Sequence, residues 1–192
     1  SPVSESVDYT VFAGHADEAI SAYREVTGEV PMMPRWAMGY IHCRERFNTQ
    51  QEILDIANKF RNDSIPVDAL VQDWQYWGKY GWNAMRFDEE RYPNAKSMTD
   101  SLHKLNLHLM VSVWSNTEHG TEWGKQMEKD GYFISQTNWI DFFNPKAAAA
   151  YWSNFSTRML PYGIDAWWQD ATEPENDDLS GRMVNNGTTP GE

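Results

Sequence analysis

Between residues 36 and 170, short apolar runs alternate with amphipathic segments, and this alternation restricts the possible folds more than any other feature. The runs are WAMGYIH (36–42), PVDALVQDW (66–74), LHLMVSVW (107–114) and DAWWQD (165–170). Apolar strands that alternate with helices are typical of a parallel sheet covered on both faces. The sequence therefore predicts an α/β protein with four main parallel strands.

Helix signals lie in the gaps between these runs. Thr49 and Glu52 have the spacing of a capping box, and Asn144 followed by Pro145 is a typical helix start. Helices are predicted at 16–27, from 49, around 98–105, at 121–130 ending at Gly131, and from 144. Short strands are also predicted at 7–12 and around 140–143.

Four strands fit either an open doubly wound sheet or half of a closed barrel, because a (β/α)₈ barrel has eight strands in about 250 residues. A doubly wound nucleotide-binding fold would place a Gly-rich turn after the first strand, where this chain has CRERFNT. The ending NNGTTPGE reads as a loop with no helix to cover the last strand. We therefore expect the first four β/α units of a parallel (β/α)₈ TIM barrel. Residues 1–192 alone should be poorly folded and inactive, with the rest of the barrel as their partner.

Charge and composition exclude several classes of partner. The net charge is -12 without a block of Lys or Arg, so no nucleic acid or membrane partner is expected, and a neutral or cationic partner fits better. No apolar run approaches the ~18 residues of a membrane span. Cys43 is the only cysteine, so no internal disulfide can form and the compartment cannot be read from cysteine usage. The ten Trp serve either core packing or sugar binding.

Functional side chains of a parallel sheet collect at the carboxyl ends of its strands. The predicted strand ends carry His42 and Arg44, then Asp73 and Trp74, then Trp114, and finally Asp170. Carboxylates hydrogen-bond sugar hydroxyls or stabilise a cationic transition state, and indoles form pocket walls. Asp170 is either a solvated cap that begins the acidic stretch DATEPENDD or a working carboxylate. Its place at the end of an apolar strand favours the second interpretation.

The segments MPRWAMGY, NTQQEI, IPVDALVQDWQYWG, MRFDEERYPNAKSMTDSLHKLNLHLMVSVW, DFFNP and DAWWQDATEPE resemble glycoside hydrolase family 31, in particular its α-xylosidase-like members. The resemblance runs from about Asp8 to Asp178. It implies a retaining, exo-acting enzyme for α-linked sugars, with Asp170 as nucleophile. By the same resemblance Asp73 binds sugar hydroxyls and Trp114 lines that subsite. Trp168 and Glu173 adjoin the nucleophile.

The resemblance also implies a division of the chain. Residues 1–30 correspond to the tail of a preceding β-sandwich plus a linker helix, and residues 31–192 to the amino-terminal half of the catalytic barrel. The family's acid/base Asp, with a sugar-binding Arg and His, would lie beyond Glu192. The expected substrate is a terminal α-xylosyl residue of xyloglucan-type oligosaccharides, which the long loop QYWGKYGWNAMRF favours by resemblance.

Other functions remain open from the sequence. An α-glucosidase, a sulfoquinovosidase or an α-transglucosylase would use the same scaffold, and a non-catalytic carbohydrate-binding protein would keep the same rim. DATEPENDD lacks EF-hand spacing, the histidines show no HExxH pairing and no GxSxG turn occurs. No metal or cofactor is therefore predicted, and His103 and His108 are interpreted as surface or packing residues. Glu118 and His119 are further candidates for substrate contact.

Overall fold

The computed structural model describes residues 8–171, 179 and 181–191. The helices within this part of the chain are α1 (Ala16–Thr27), α2 (Gln50–Asn62), α3 (Ala95–Lys104), α4 (Glu122–Lys129) and α5 (Pro145–Asn154). The strands are β1 (Ile41–His42), β2 (Ala69–Gln72), β3 (His108–Trp114), β4 (Ala166–Asp170), β5 (Met183–Val184) and β6 (Thr189–Pro190). Short 3₁₀ turns lie at Arg35–Met38, Gly78–Tyr80 and Leu160–Tyr162, and a π-helical turn at Phe155–Met159 extends α5.

The main sheet has the order β1-β2-β3-β4, and all its neighbouring strands are parallel. The crossovers carry α2 between β1 and β2, α3 between β2 and β3, and α4 and α5 between β3 and β4. Strand order therefore follows chain order, as in the first half of a (β/α)₈ barrel. The predicted fold class is confirmed.

The helix starts follow the side-chain chemistry of their caps. The hydroxyl of Thr49 accepts the Glu52 N–H at 3.2 Å, and Oδ1 of Asn144 accepts the Lys146 N–H at 3.0 Å. The Glu52 carboxylate accepts the Asn48 N–H at 2.8 Å, one residue before the position that a capping box predicts. Each cap satisfies amide groups that the first helical turn leaves unpaired.

The core lies between the sheet and its helices. Leu70, Leu109 and Val111 are fully buried strand residues, and they belong to the same apolar cluster as Ile53 of α2 and Leu102 of α3. Burying a side chain of this size stabilises the fold by roughly 1.5–3 kcal/mol. This layer holds the strands in register and so fixes the positions of their carboxyl ends.

Two predicted strands are wrong or shortened near the start of the chain. The described residues 8–13 form no strand, because none of them pairs with another described strand. Of the predicted strand 36–42 only residues 41–42 pair, because Arg35–Met38 turn as a 3₁₀ helix after Pro34. Gly39 follows this turn, and a Cβ added there would lie 1.9 Å from Oδ2 of Asp68, so any larger residue would force the Asp68 side chain to move.

The segments at 140–143 and 183–190 also differ from the prediction. Ile140 forms one isolated bridge with Phe133 where a strand was expected. Conversely, the predicted terminal loop contains the antiparallel hairpin β5–β6. The buried Asp141 carboxylate accepts the N–H groups of Asn185 and Asn186 at 3.0 and 2.9 Å and thereby holds the turn. This long-range contact is not visible in local sequence.

Helix α1 forms where predicted and ends at Gly28, whose φ is 90°. None of its residues is buried, and Ile20, Tyr23 and Val26 on its apolar face are exposed by 59%, 54% and 67%. The helix therefore contributes nothing to the core described above. Within the described part of the chain, no helix combines the length and the apolar character that crossing a membrane requires.

Candidate active site

The register of β3 and β4 determines which side chains share a face at the carboxyl end of the sheet. Trp114 pairs with Asp170, and Ser112 pairs with Trp168. Because side chains alternate along a strand and paired positions point the same way, these four side chains lie on one face. Trp167 lies on the other face, where its ring contacts Phe155 beyond α5 at 4.7 Å between centroids.

Asp73 follows β2 and is joined to this face. Its Oδ1 accepts the Ser112 hydroxyl at 2.8 Å and the Trp74 N–H at 2.7 Å. Partial burial raises the pKa of Asp73 above its usual value, the two hydrogen bonds oppose this shift, and the charges of Asp170 and Glu45 reinforce it. The carboxylates of Asp73 and Asp170 thus interact electrostatically at the same end of the sheet, which brings two predicted site residues together.

Asp170 ends β4 with its carboxylate turned back on its own chain. Its Oδ1 accepts the Ala171 N–H at 2.8 Å, and Ala171 has a φ of 43°. A positive φ is uncommon for a residue with a side chain and marks a constrained turn. The tight turn fixes Asp170 at the strand end.

Four indoles form a cluster beside the carboxylates, made of Trp74, Trp77, Trp82 and Trp114. The ring of Trp82 lies 5.2 Å from that of Trp77 and 5.1 Å from that of Trp114. Trp77 and Trp114 are 4% and 5% exposed and so support the two partly exposed rings. The sequence prediction of the site did not include Trp77 and Trp82. The concentration of tryptophans in the loop 74–87 could have indicated them.

Hydrogen bonds tie the loop that carries these indoles to the end of β3. The Asn83 amide donates to the carbonyls of Trp114 and Asn116 at 2.8 and 2.7 Å, and Trp82 Nε1 donates to Oδ1 of Asn116 at 2.8 Å. Arg46 lies over the Trp74 ring at 5.0 Å, the geometry of a cation–π contact. The loop is therefore a packed wall of the site.

His42 and Arg44 are not brought to this cluster. His42 pairs with Leu70 and so shares its helix-facing side, where the imidazole lies 5.0 Å from the Phe60 ring and Nδ1 contacts the Tyr40 hydroxyl at 2.9 Å. Burial and the Arg44 charge lower the pKa of His42. Arg44 itself bonds to Glu52 at 3.1 Å. Only Arg46 from this segment reaches the indoles.

The remaining candidate site residues lie at different distances from the carboxylates or outside the described residues. Trp168 is 38% exposed on the face that carries Asp170, whereas Glu173 lies outside the described residues, as does most of DATEPENDD. His119 stacks on Phe133 at 4.1 Å and its Nε2 contacts the Thr137 carbonyl at 2.9 Å, so its ring is already engaged. The Glu118 carboxylate lies against Gly81, beside the loop of the indole cluster.

One apolar cavity lies apart from the two carboxylates. Its volume is about 480 Å³, and its walls come mainly from α5 and the segment 139–143, with Gln169 on the helix-facing side of β4. Asp73 and Asp170 do not line it. We place the candidate site by the carboxylates, because the chemistry of sugar cleavage needs ionisable groups.

The fold and the site together define an α/β protein of the (β/α)₈ barrel class, with acidic and indole side chains at the carboxyl ends of its strands. Residues 30–191 match the model of the glycosyl hydrolases family 31 TIM-barrel domain. This match covers most of the chain, and the chain belongs to glycosyl hydrolases family 31.

Individual relatives agree with this assignment. The chain is 41% identical over 172 residues to an alpha-xylosidase of Saccharolobus solfataricus, covering 89% of this chain and 23% of the relative. It is 28% identical to alpha-glucosidase 2 of Bacillus thermoamyloliquefaciens, covering 88% and 23%. The crystal structure of a GH31 alpha-xylosidase from Xanthomonas citri superposes with a TM-score of 0.77 at 28% identity, covering 88% of this chain and 19% of that one. The chain thus spans about a quarter or less of these relatives' length.

Proposed function

We propose that the full-length polypeptide is a retaining, exo-acting α-glycosidase that removes terminal α-xylosyl residues from xyloglucan-type oligosaccharides. The observation that carries the proposal is the pairing of Trp114 with Asp170, which puts this carboxylate on the face where Ser112 holds Asp73. One carboxylate can stabilise the positive charge of a glycosyl cation, and the other can accept hydrogen bonds from sugar hydroxyls. The exposed indole surface beside them can pack against the sugar ring. The similarity to alpha-xylosidases supports the choice of sugar.

In this proposal Asp170 is the nucleophile. Its carboxylate attacks the anomeric carbon as the glycosidic bond breaks, giving a glycosyl ester and a protonated leaving group. Water then hydrolyses the ester, so that two inversions retain the configuration. The turn at Ala171 holds the carboxylate in place, which lowers the entropic cost of reaching the reactive geometry.

The other proposed roles follow from position. Asp73 accepts hydrogen bonds from sugar hydroxyls through the oxygen that Ser112 and Trp74 leave free, since both donate to Oδ1. Trp74 and Trp168 form the wall, with the buried ring of Trp114 behind them. The resemblance of DATEPE to the family motif adds Glu173 as a support. We leave His42 out of the proposed site, because its ring packs on the helix layer.

The mechanism also needs a general acid, and we expect it beyond Glu192, in the part of the relatives' length that this chain does not span. The complementary half of the barrel is thus the proposed partner of these residues. The exposed apolar face of α1 agrees with a role for residues 1–30 as the tail and linker helix of a preceding β-sandwich. Residues 31–192 then form the first half of the barrel.

A covalent trap tests the nucleophile. The full-length polypeptide is treated with 5-fluoro-α-xylosyl fluoride and digested, and mass spectrometry should find one glycosyl adduct on the peptide that contains Asp170. Asp170→Ala should give no adduct, whereas Asp55→Asn, which changes an exposed helical carboxylate bonded to Gln51, should react as the parent does. Sugar binding without any adduct would instead indicate a non-catalytic carbohydrate-binding protein.

The similarity to an alpha-glucosidase makes that specificity the second candidate. The two sugars differ by one hydroxymethyl group, a difference worth roughly 1–3 kcal/mol in a pocket, or about 10–200-fold in kcat/KM. Rates on p-nitrophenyl α-xyloside and α-glucoside should favour the xyloside by about that factor. A preference for the glucoside would assign the protein to the alpha-glucosidase type. Sulfoquinovosidase and transglucosylase activities are checked with their own donor and acceptor sugars.

A further inference from the structure

Three potential metal ligands meet at the amino-terminal ends of β3 and β4, opposite the proposed active site. His103 lies in the last turn of α3, His108 begins β3, and Asp165 immediately precedes β4. One ring nitrogen of each histidine and a carboxylate oxygen of Asp165 all lie within 4.8 Å of one another. Among the residues that the structure describes, no other group of three meets this criterion.

The carboxylate of Asp165 is held in a fixed orientation. Its Oδ2 accepts the Leu109 N–H at 2.9 Å and contacts Nε2 of His103 at 2.8 Å. Its Oδ1 faces Nδ1 of His108 at 3.2 Å. Hydrogen bonds of this kind orient the ligands of protein metal sites.

His108 has the least satisfied polar atom of the group. Its Nδ1 is shielded from solvent and makes no aligned hydrogen bond, although the distance to Asp165 is short enough for an ion pair. The ring cannot easily turn away, since it stacks on Trp36 with centroids 4.2 Å apart. A buried nitrogen without an aligned partner is costly, and a metal ion would satisfy it.

We propose that His103, His108 and Asp165 bind one divalent transition-metal ion of the zinc class. Imidazole nitrogen and carboxylate oxygen are ordinary ligands of Zn²⁺, at about 2.0–2.2 Å in a tetrahedral arrangement, so two ligand atoms lie roughly 3.3 Å apart. The 3.2 Å between His108 Nδ1 and Oδ1 of Asp165 already matches this spacing. Nε2 of His103 now contacts the other carboxylate oxygen, Oδ2, and would turn from it toward the shared ion. Water fills the fourth position from the open side, where His103 is 38% exposed.

The site joins α3, β3 and β4, so its effect is on stability and does not depend on the proposed enzymatic function. Local sequence does not indicate this site, because Asp165 is 62 residues from His103 and the two histidines form neither an HExxH nor an i, i+4 pair. The expectation that these histidines are only surface or packing residues is the alternative that the experiment must separate.

The test uses the full-length polypeptide, freed of metal with a chelator and titrated with Zn²⁺ against a chromophoric competitor. We expect one Zn²⁺ per chain, and Co²⁺ should give the strong visible absorption of tetrahedral coordination. His103→Gln and Asp165→Asn should each weaken binding by at least about tenfold. His119→Gln is the matched control, because His119 is also 38% exposed and contacts a carboxylate.

Circular dichroism of the metal-free variants shows whether they are folded, and His103→Gln alters only a half-exposed ring if Asp165→Asn does not fold. In the parent the Tm should rise with Zn²⁺ concentration, and in the variants it should not. The proposal is overturned if the parent takes up no stoichiometric metal, or if a folded His103→Gln variant binds and is stabilised as the parent is.

Discussion

At the residue level, Asp73 shows how the site balances burial against hydrogen bonding. Burial alone would favour the neutral carboxyl group, while the Ser112 hydroxyl and the Trp74 N–H favour the carboxylate. The net pKa is raised, so the folded state binds the proton of Asp73 more tightly than the unfolded chain does. Asp73 therefore makes its full contribution to stability at pH values below the pKa of the unfolded chain. That contribution is lost as pH rises through the raised pKa of the folded state.

Ser112→Ala should raise the pKa of Asp73 further, because it removes the largest opposing contribution. Near pH 7 the variant should lose about 1.5–3 kcal/mol of stability, the usual contribution of a hydrogen bond to a charged group. The loss should shrink toward pH 3, where Asp73 is protonated. Denaturant unfolding of the full-length polypeptide at both pH values measures this. A loss that is the same at pH 3 and pH 7 would show that the Ser112 bond does not act through the Asp73 charge.

At the level of elements, the end of α2 is tied to the neighbouring β/α unit by one side chain. The Arg61 guanidinium donates to the carbonyls of Leu105, Val67 and Asn106 at 2.8, 2.9 and 3.0 Å. These carbonyls come from the segments that lead into β2 and β3. A planar group with several donors suits this arrangement, and a lysine ammonium cannot reproduce its geometry.

Arg61→Met should destabilise the protein by about 2–4 kcal/mol, because it leaves carbonyl groups unpaired while keeping much of the apolar stem. The loss of stability in Arg61→Lys should lie between zero, the value for the parent, and the loss in Arg61→Met. Lys59→Met, which removes an exposed pair with Asp63, should cost no more than about 1 kcal/mol. Urea unfolding of the three variants gives the comparison. Equal effects of Arg61→Met and Lys59→Met would contradict a linking role for Arg61.

The elements also show which sequence signals were sufficient. Helix α2 and helix α5 start at the polar caps Thr49 and Asn144, because a cap is a contact between residues close in sequence. The predicted length of strand β1 was too great, because an apolar run does not show how many of its residues pair with a neighbouring strand. The hairpin β5–β6 was missed, because Asp141 holds its turn from more than forty residues away.

At the level of the whole molecule, the parallel sheet has two strands at its edges, β1 and β4. Closure of a barrel removes such edges, and a sheet without closure exposes backbone groups and apolar surface. The exposed positions of β4, with Trp168 at 38%, agree with a surface that another part of a barrel would cover.

Expression of residues 1–192 alone should therefore yield a poorly packed product without glycosidase activity. We expect a broad thermal transition, binding of a hydrophobic dye and no turnover of p-nitrophenyl α-xyloside, since both the general acid and four strands would be missing. The full-length polypeptide is the control. A sharp transition together with measurable turnover by the isolated chain would contradict the half-barrel interpretation.

The sequence by itself determined the α/β class, the alternation of helices and strands along the chain, and which acidic and indole residues follow the strands, because strand periodicity and helix caps are local properties. Only the tertiary structure decided which of those side chains meet. The register between β3 and β4 aligned Trp114 with Asp170, the loop after β2 added Trp77 and Trp82, and the pairing of β1 turned His42 toward the helices. A shift of one residue in register would reverse each side, and the packing of distant residues sets that register.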